Sequence, residues 1–159
     1  MKFFRYAAPV VALLALSAAG ASAQATQDVT LEVQAVNEIA FTGSPSLVIS
    51  SATAGSAPTS ATANATYAVT TNETNRKITA QIDSDTPAGV TLSVSLAAPA
   101  GATSAGAVLL GTTAQDVVTG IGTVNASGLN ATYTLSATAA AGVVPSTSRT
   151  VTYTITAGA

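Results

Sequence analysis

Apolar and polar residues alternate with period two along much of the chain, and no long helical periodicity interrupts that alternation. The pattern is clearest in residues 28–36 (DVTLEVQAV), where one phase holds Val29, Leu31, Val33 and Ala35. Period two places alternate side chains on opposite faces of a strand. The pattern therefore predicts an amphipathic β-strand over residues 28–36.

Similar runs predict the remaining strands. They cover residues 46–51, 65–71, 76–82, 89–97, 107–110, 116–121, 129–139 and 148–157. Gly, Pro, Ser and Asn separate these runs at short intervals, as in turns. Polar residues 72–75 between two runs predict a β-hairpin. Residues 52–65 are predicted to be a loop or irregular edge segment, and Ala137–Ala141 are compatible with a helical turn.

Eight or nine short strands at this spacing predict an all-β chain that folds as a single antiparallel β-sandwich of immunoglobulin-like architecture. An internal echo supports this fold, because Asn64-Ala65-Thr66-Tyr67 recurs as Asn130-Ala131-Thr132-Tyr133. Each copy is followed by a polar connection and a return strand. We therefore expect two equivalent hairpins, one in each sheet, with Tyr67 and Tyr133 in the core.

The first 23 residues have the layout of a secretory signal peptide. Lys2 and Arg5 precede an apolar run over residues 7–16, and Ala21-Ser22-Ala23 follows as a cleavage signal. The run is shorter than the roughly 20 apolar residues of a membrane-spanning helix, and we expect no transmembrane span after cleavage. The sequence thus predicts cleavage after Ala23, one domain over residues 24–159, and an extracellular or cell-surface location, with the periplasm as the alternative.

Composition narrows the chemistry available to the chain. Of 159 residues, 48% are hydrophobic and 8% charged, and the chain has no Cys, His or Trp. Catalysis by a thiol or imidazole is therefore excluded. After residue 23 the chain carries three basic and seven acidic residues, a net charge of −4, which lacks the basic footprint of a nucleic-acid binder. We expect a non-enzymatic protein without a cofactor or a nucleic-acid partner, and an enzyme with an unusual carboxylate site is the least favoured hypothesis.

Two charged positions are candidates for local chemistry. Asp83 and Asp85 lie between two predicted strands, and their carboxylates are the hard oxygen ligands that Ca²⁺ takes. The rest of a calcium-loop pattern is missing, so a strand-terminating turn is the favoured interpretation and a metal site the alternative. Lys77 is the one lysine after residue 23, and an outward position is favoured over an isopeptide crosslink because residues 149–159 contain no Asn or Asp.

Threonine and serine recur on outward positions of the last two predicted strands. The two ranks consist of Thr150, Thr152, Thr154 and Thr156, and of Thr132, Thr134, Ser136 and Thr138. We expect these two strands to be partners. The ranks then resemble the T-x-T faces of ice-binding β proteins, although threonine also suits any solvated strand face.

The signal segment, the charge-poor Ala/Thr/Ser/Gly composition and the all-β pattern together resemble bacterial surface and fimbria-like structural subunits. The likeness extends over residues 24–159, and the cysteine pair usual in chaperone–usher pilins is absent. It implies a structural or adhesive surface protein that associates with itself or with other surface proteins. Strand 28–36 would then complete the sheet of a neighbouring copy, or, alternatively, pair within its own sandwich. The second hypothesis is an extracellular binding module for a glycan, calcium or an ice-like surface.

Overall fold

The fold was analysed in a computed structural model that describes residues 22–159. The predicted signal segment therefore lies almost wholly outside the described residues. The chain divides after Glu32 into two units. Residues 22–32 contain no helix or strand, whereas Val33–Ala159 contains all the regular structure described below.

Val33–Ala159 is an all-β unit of two antiparallel sheets, as the alternation predicts. Its strands are β1 (Asn37–Thr42), β2 (Ala61–Thr71), β3 (Arg76–Ile82), β4 (Val90–Leu96), β5 (Thr103–Ser104), β6 (Val108–Leu109), β7 (Gln115–Ile121), β8 (Val124–Ala137) and β9 (Val151–Ala157). The first sheet has the order β1-β2-β8-β4-β6, and the second has the order β5-β7-β3-β9. A single 3₁₀ turn, Ala139–Ala141, occupies part of the Ala-rich segment between β8 and β9.

The core lies between the sheets and takes mainly one face of each strand, although the adjacent Val117 and Val118 of β7 are both buried. The largest fully buried side chains come from both sheets: Tyr67, Val69, Val94 and Leu96 from the first, and Ile78, Ile82, Val117, Val118 and Ile121 from the second. Burying one aliphatic side chain of this size contributes about 1.5–3 kcal/mol. The chain has no cysteine, so no disulfide adds to this packing.

The predicted hairpins are wrong in their topology. β2 and β3 belong to different sheets, so residues 72–75 cross from one sheet to the other instead of turning within one. The same holds for β8 and β9, and these two strands are not partners. The repeated segments pair with each other in the first sheet, with Ala65 opposite Ala131. Period-two alternation orients a strand's apolar face but does not say which sheet that strand joins.

Two predicted strands are absent, and two strands, β1 and the two-residue β5, were not predicted. Residues 28–36 and 46–51 form no β-ladder, and the first strand begins only at Asn37. β1 pairs with β2 and directs Ile39 and Phe41 toward the core. These two residues share the odd-numbered phase of Val29 and Leu31, although polar Asn37 interrupts that phase between the two segments. Residues 52–60 are irregular, as predicted, but β2 already begins at Ala61.

A bulge bends the long pair formed by β2 and β8. Tyr67 lies opposite Leu129 and Val69 opposite Ala126, so Ala68 faces two residues of β8 instead of one. Gly128 has a φ of 67° at this point. Glycine suits this position because an L side chain is strained at positive φ.

The two ends of the sandwich are defined by their connections. We call one the Asn72 end, where residues 72–75 join β2 to β3. We call the other the Pro87 end, where residues 83–89 join β3 to β4 and residues 138–150 join β8 to β9. β3 runs from the first end to the second, a distance of about 23 Å for seven residues at 3.3 Å each.

Candidate functional site

The loop with Asp83 and Asp85 ties two connections together at the Pro87 end. The Asp83 carboxylate accepts a hydrogen bond from the Thr150 amide at 3.1 Å, and the Asp83 amide donates to the Thr150 carbonyl at 3.1 Å. The Asp85 carbonyl accepts two bonds from the Arg149 guanidinium, at 2.8 and 3.1 Å. Over residues 22–159 no group of three Asp, Glu, His or Cys side chains is placed to hold a metal ion. The two aspartates thus have structural contacts, and calcium binding stays a prediction.

Lys77 lies on the outer surface of the second sheet. Its Nζ is 3.0 Å from Asp116 Oδ1 on the neighbouring strand β7, and both side chains are partly exposed. An exposed pair of this kind contributes up to about 1 kcal/mol. The lysine therefore forms an ordinary surface ion pair with Asp116.

The tyrosines form part of an aromatic cluster inside the sandwich. Phe41 stacks on Tyr67 and on Tyr153, with ring centroids 5.3 and 4.0 Å away. The Tyr67 hydroxyl donates to the Ala97 carbonyl, and the hydroxyls of Tyr133 and Tyr153 share a bond of 2.8 Å. Burial raises the pKa of Tyr67 to about 12 and also raises the pKa of Tyr133 and of Tyr153. These rings are core residues, as predicted, and are not exposed platforms for sugar stacking.

The outer side of the first sheet carries a regular set of uncharged polar side chains, which we call the hydroxyl face. Its members are Thr62, Asn64 and Thr66 of β2, Asn130, Thr132, Thr134 and Ser136 of β8, and Thr91, Ser93 and Ser95 of β4. They are in cross-strand register: Asn64 and Ser95 both lie opposite Thr132. Asn64 Oδ1 accepts a hydrogen bond from Thr132 Oγ1 at 2.9 Å. The predicted joint face of β8 and β9 is wrong, because the threonine rank of β9 lies on the other sheet.

A cleft of about 950 Å³ opens at the Pro87 end. Two irregular segments flank it, residues 45–52 and residues 142–149, and between them lie Leu92, Leu135 and Val151. Arg149 is the one charged side chain among its lining residues within the described chain. A volume of this size lies in the range of protein ligand pockets. We call this site at the Pro87 end the polar-end cleft.

Sequence reasoning did not find the polar-end cleft. The apolar run at residues 46–51 was visible, but it predicted a paired strand. In the structure Leu47 and Ile49 are half-buried while Val48 and Ser50 are exposed, so the alternation is present without a ladder partner. The sequence therefore carries no signal that distinguishes this unpaired segment from a paired strand.

The segment before β1 is tied to the sandwich at the Asn72 end. The Val36 amide donates to Asn72 Oδ1 at 2.8 Å, and Asn72 Nδ2 donates to the Gln34 carbonyl at 2.7 Å. The Asn72 amide donates to the Val36 carbonyl at 3.2 Å. Upstream of this attachment, Val29 is 71% exposed and Leu31 and Val33 are each 87% exposed.

Comparison with known proteins supplies no functional assignment, so an assignment has to rest on the structural features described above. Among residues 22–159 there is no helix long and apolar enough to cross a membrane. No protein-family model and no curated protein matches the chain.

Proposed function

We propose that the protein is a non-enzymatic, secreted or cell-surface structural subunit that assembles with itself. In this proposal the segment 28–36 of one copy adds as a strand to another copy. The observation that carries it is the row of exposed apolar side chains at Val29, Leu31 and Val33, which alternate as in a strand but belong to no ladder.

The physical argument rests on the cost of exposed apolar surface. An amphipathic strand gains stability when its apolar face is covered and its backbone groups are paired. Residues 37–41 obtain both within their own sandwich, since β1 pairs with β2 and Ile39 packs on the core. Val29, Leu31 and Val33 share the odd-numbered phase of these core-facing residues but lie in no ladder, and addition to a second copy would cover their side chains and give them a ladder partner.

Electron microscopy and sedimentation velocity of the purified protein test this proposal. We expect polymers from the wild-type chain, and at least tenfold fewer from the combined variant Val29→Thr, Leu31→Thr and Val33→Thr, which removes apolar surface but keeps β-propensity. Thr30→Ala, on the opposite phase of the same segment, is the matched control and should still polymerise. A wild-type protein that stays monomeric at high concentration, or a triple variant that polymerises normally, would refute self-assembly through this segment.

The second candidate is an extracellular binding module, and the hydroxyl face favours it. This face presents ten uncharged polar side chains at spacings of about 4.8 Å between strands and about 6.7 Å along them. Such a surface suits an ordered, uncharged ligand such as ice. Thermal hysteresis that disappears in Thr134→Lys but persists in Thr154→Lys, on the other sheet, would support this function; wild-type protein without hysteresis would count against its ice-binding form.

A further inference from the structure

We infer that the polar-end cleft is the acceptor for residues 28–33 of a second copy. The inference rests on the proposed self-assembly and deepens it by naming the surface that receives the segment. It follows from the apolar lining, the unpaired backbone and the charge of the cleft. It also follows from the two ends of the sandwich, because the donor segment is attached at one end and the cleft opens at the other.

The first argument is the apolar lining. Ile49, Leu135 and Val144 line the cleft and are half-buried, yet among the described residues none of them packs against the buried core. Side chains in this condition retain apolar surface that a further chain segment can cover, at about 25 cal/mol for each Å² removed from water. The apolar phase of residues 29–33 has the matching chemistry.

The second argument is the unpaired backbone along one side of the cleft. The amides of residues 46–50 donate no hydrogen bond to any group in the described chain. The side chains of this segment nevertheless alternate between half-buried and exposed, as in a strand. An unpaired segment of this kind is a template for strand addition. Six extended residues, 28–33, span about 20 Å and are long enough to pair with the five residues 46–50, which span about 17 Å when extended.

The third argument is charge. Arg149 lines the cleft, and its guanidinium bonds to the carbonyls of Asp85 and Ser148 and the hydroxyl of Thr147, with no carboxylate within ion-pair distance in the described chain. The charged residues of the incoming segment, Asp28 and Glu32, are both acidic. The single cation of the acceptor and the two anions of the donor are thus complementary.

The fourth argument is placement. Gln34 and Val36 are bonded to Asn72 at one end of the sandwich, whereas the cleft opens at the other end. The donor residues lead along the chain into the attachment at the Asn72 end, so their contact with a cleft at the Pro87 end is head-to-tail, and such contacts produce an open chain of subunits when no rotation closes them. The expected assembly is therefore a filament.

Crosslinking between two single-cysteine chains tests the acceptor directly, because the natural chain has no cysteine. A full-length chain with Leu31→Cys is mixed with one carrying Ile49→Cys or Val144→Cys in the cleft, and a short bismaleimide is added. Leu109→Cys is the control acceptor, since Leu109 is 60% exposed on β6 and outside the cleft. We expect mixed dimers with either cleft cysteine, at least tenfold more than with Leu109→Cys.

The outcomes separate the acceptor from the proposed function. Polymers that form without crosslinks at either cleft position overturn the acceptor and leave self-assembly standing. Wild-type chains that do not associate at all overturn both. The use of two cleft positions keeps the test decisive if one substitution prevents folding.

A charge exchange provides an independent test of the same contact. Arg149→Glu should weaken association about tenfold by placing like charges together. Adding Asp28→Lys and Glu32→Lys to that variant should restore most of the loss. A folded combined variant, verified by circular dichroism, that associates no better than Arg149→Glu alone would contradict the pairing.

Discussion

The two ends of the sandwich secure their connections by different means. At the Asn72 end the crossing between sheets takes four residues. The Asn72 side chain bonds to Gln34 and Val36, the Asn75 side chain donates to the Ala159 carbonyl, and the Asn75 backbone carbonyl accepts from the Gly158 amide. At the Pro87 end, long connections flank a cleft, and the amides of residues 46–50 have no partner among the described residues. Asparagine side chains thus replace a ladder where β1 begins. At the Pro87 end Asp83 and Arg149 tie residues 83–85 to residues 149–150, but no comparable side chain among the described residues bonds to residues 46–50, and the cleft opens beside them.

The largest effect should distinguish the packed body from the open end. Ile82→Ala removes a side chain that is only 2% exposed and should lower the free energy of unfolding by about 2–5 kcal/mol, because it leaves a cavity. Ile49→Ala deletes the same atoms from the polar-end cleft and should cost under about 1 kcal/mol, since no core packing is lost. Urea unfolding followed by circular dichroism measures both. Equal losses would show that the cleft is packed as tightly as the body.

The second effect concerns the tyrosines in the closed body. The folded pKa of Tyr67 is about 12, above its ordinary value of 10, so unfolded chains ionise first as pH rises. Stability should be complete below pH 10 and decline as the pH rises through 12. Urea midpoints between pH 8 and 12 test this, and Tyr67→Phe should reduce the decline. A wild-type midpoint that is constant over this range would indicate that burial does not raise the pKa of Tyr67.

The third effect addresses the ties at the Asn72 end. Asn72→Ala removes two side-chain hydrogen bonds and should cost about 1–2 kcal/mol. It should also speed hydrogen exchange of the Val36 amide, which loses its acceptor. Asn125→Ala is a control at the same end, because Asn125 is exposed. If both variants exchange like wild type at Val36, asparagine does not hold this end.

The smallest effect is an acid dependence at the same end. Hydrogen bonds hold the pKa of the Glu73 carboxyl below its ordinary value of 4.5. The bond from Asn37 has the largest effect on this pKa, and the bond from Arg76 has the next largest. The stabilisation is therefore present above pH 4.5 and is lost as pH falls through the folded pKa. Comparing the melting temperatures of wild type and Glu73→Gln from pH 7 to 2 should show a small difference that disappears in acid. A difference that grows in acid would contradict this sign.

The sequence predicted the fold class and most strand positions. β3, β4 and β7 fall within a residue or so of the predicted runs. In β3 and β4 the alternation reports burial of one face directly, whereas in β7 the adjacent Val117 and Val118 are both buried. The partition of strands between sheets was not predictable, since β2 and β3 read as a hairpin whether residues 72–75 turn within a sheet or cross between sheets. Long-range pairing, which decides this, leaves no local pattern.

The candidate site was less accessible from the sequence than the fold. The apolar phase of residues 28–36 was recognised, but a pattern cannot show whether its partner is the same sandwich or another copy. The polar-end cleft was not recognised, because residues 46–51 satisfy the pattern of a paired strand equally well. Asp83 and Asp85 were candidates because carboxylates can bind a metal ion, but in the structure Asp83 bonds to the Thr150 amide. Val29 and Leu31, which have no reactive group, are instead the exposed side chains on which the proposed function rests.

Hydrogen exchange of residues 28–33 as a function of protein concentration tests the central claim most directly. If this segment forms a strand with a second copy, its amides should exchange rapidly in dilute solution and become protected as concentration rises. Protection should be lost at all concentrations in the triple threonine variant. Rapid exchange of these amides in concentrated wild-type protein would contradict the account.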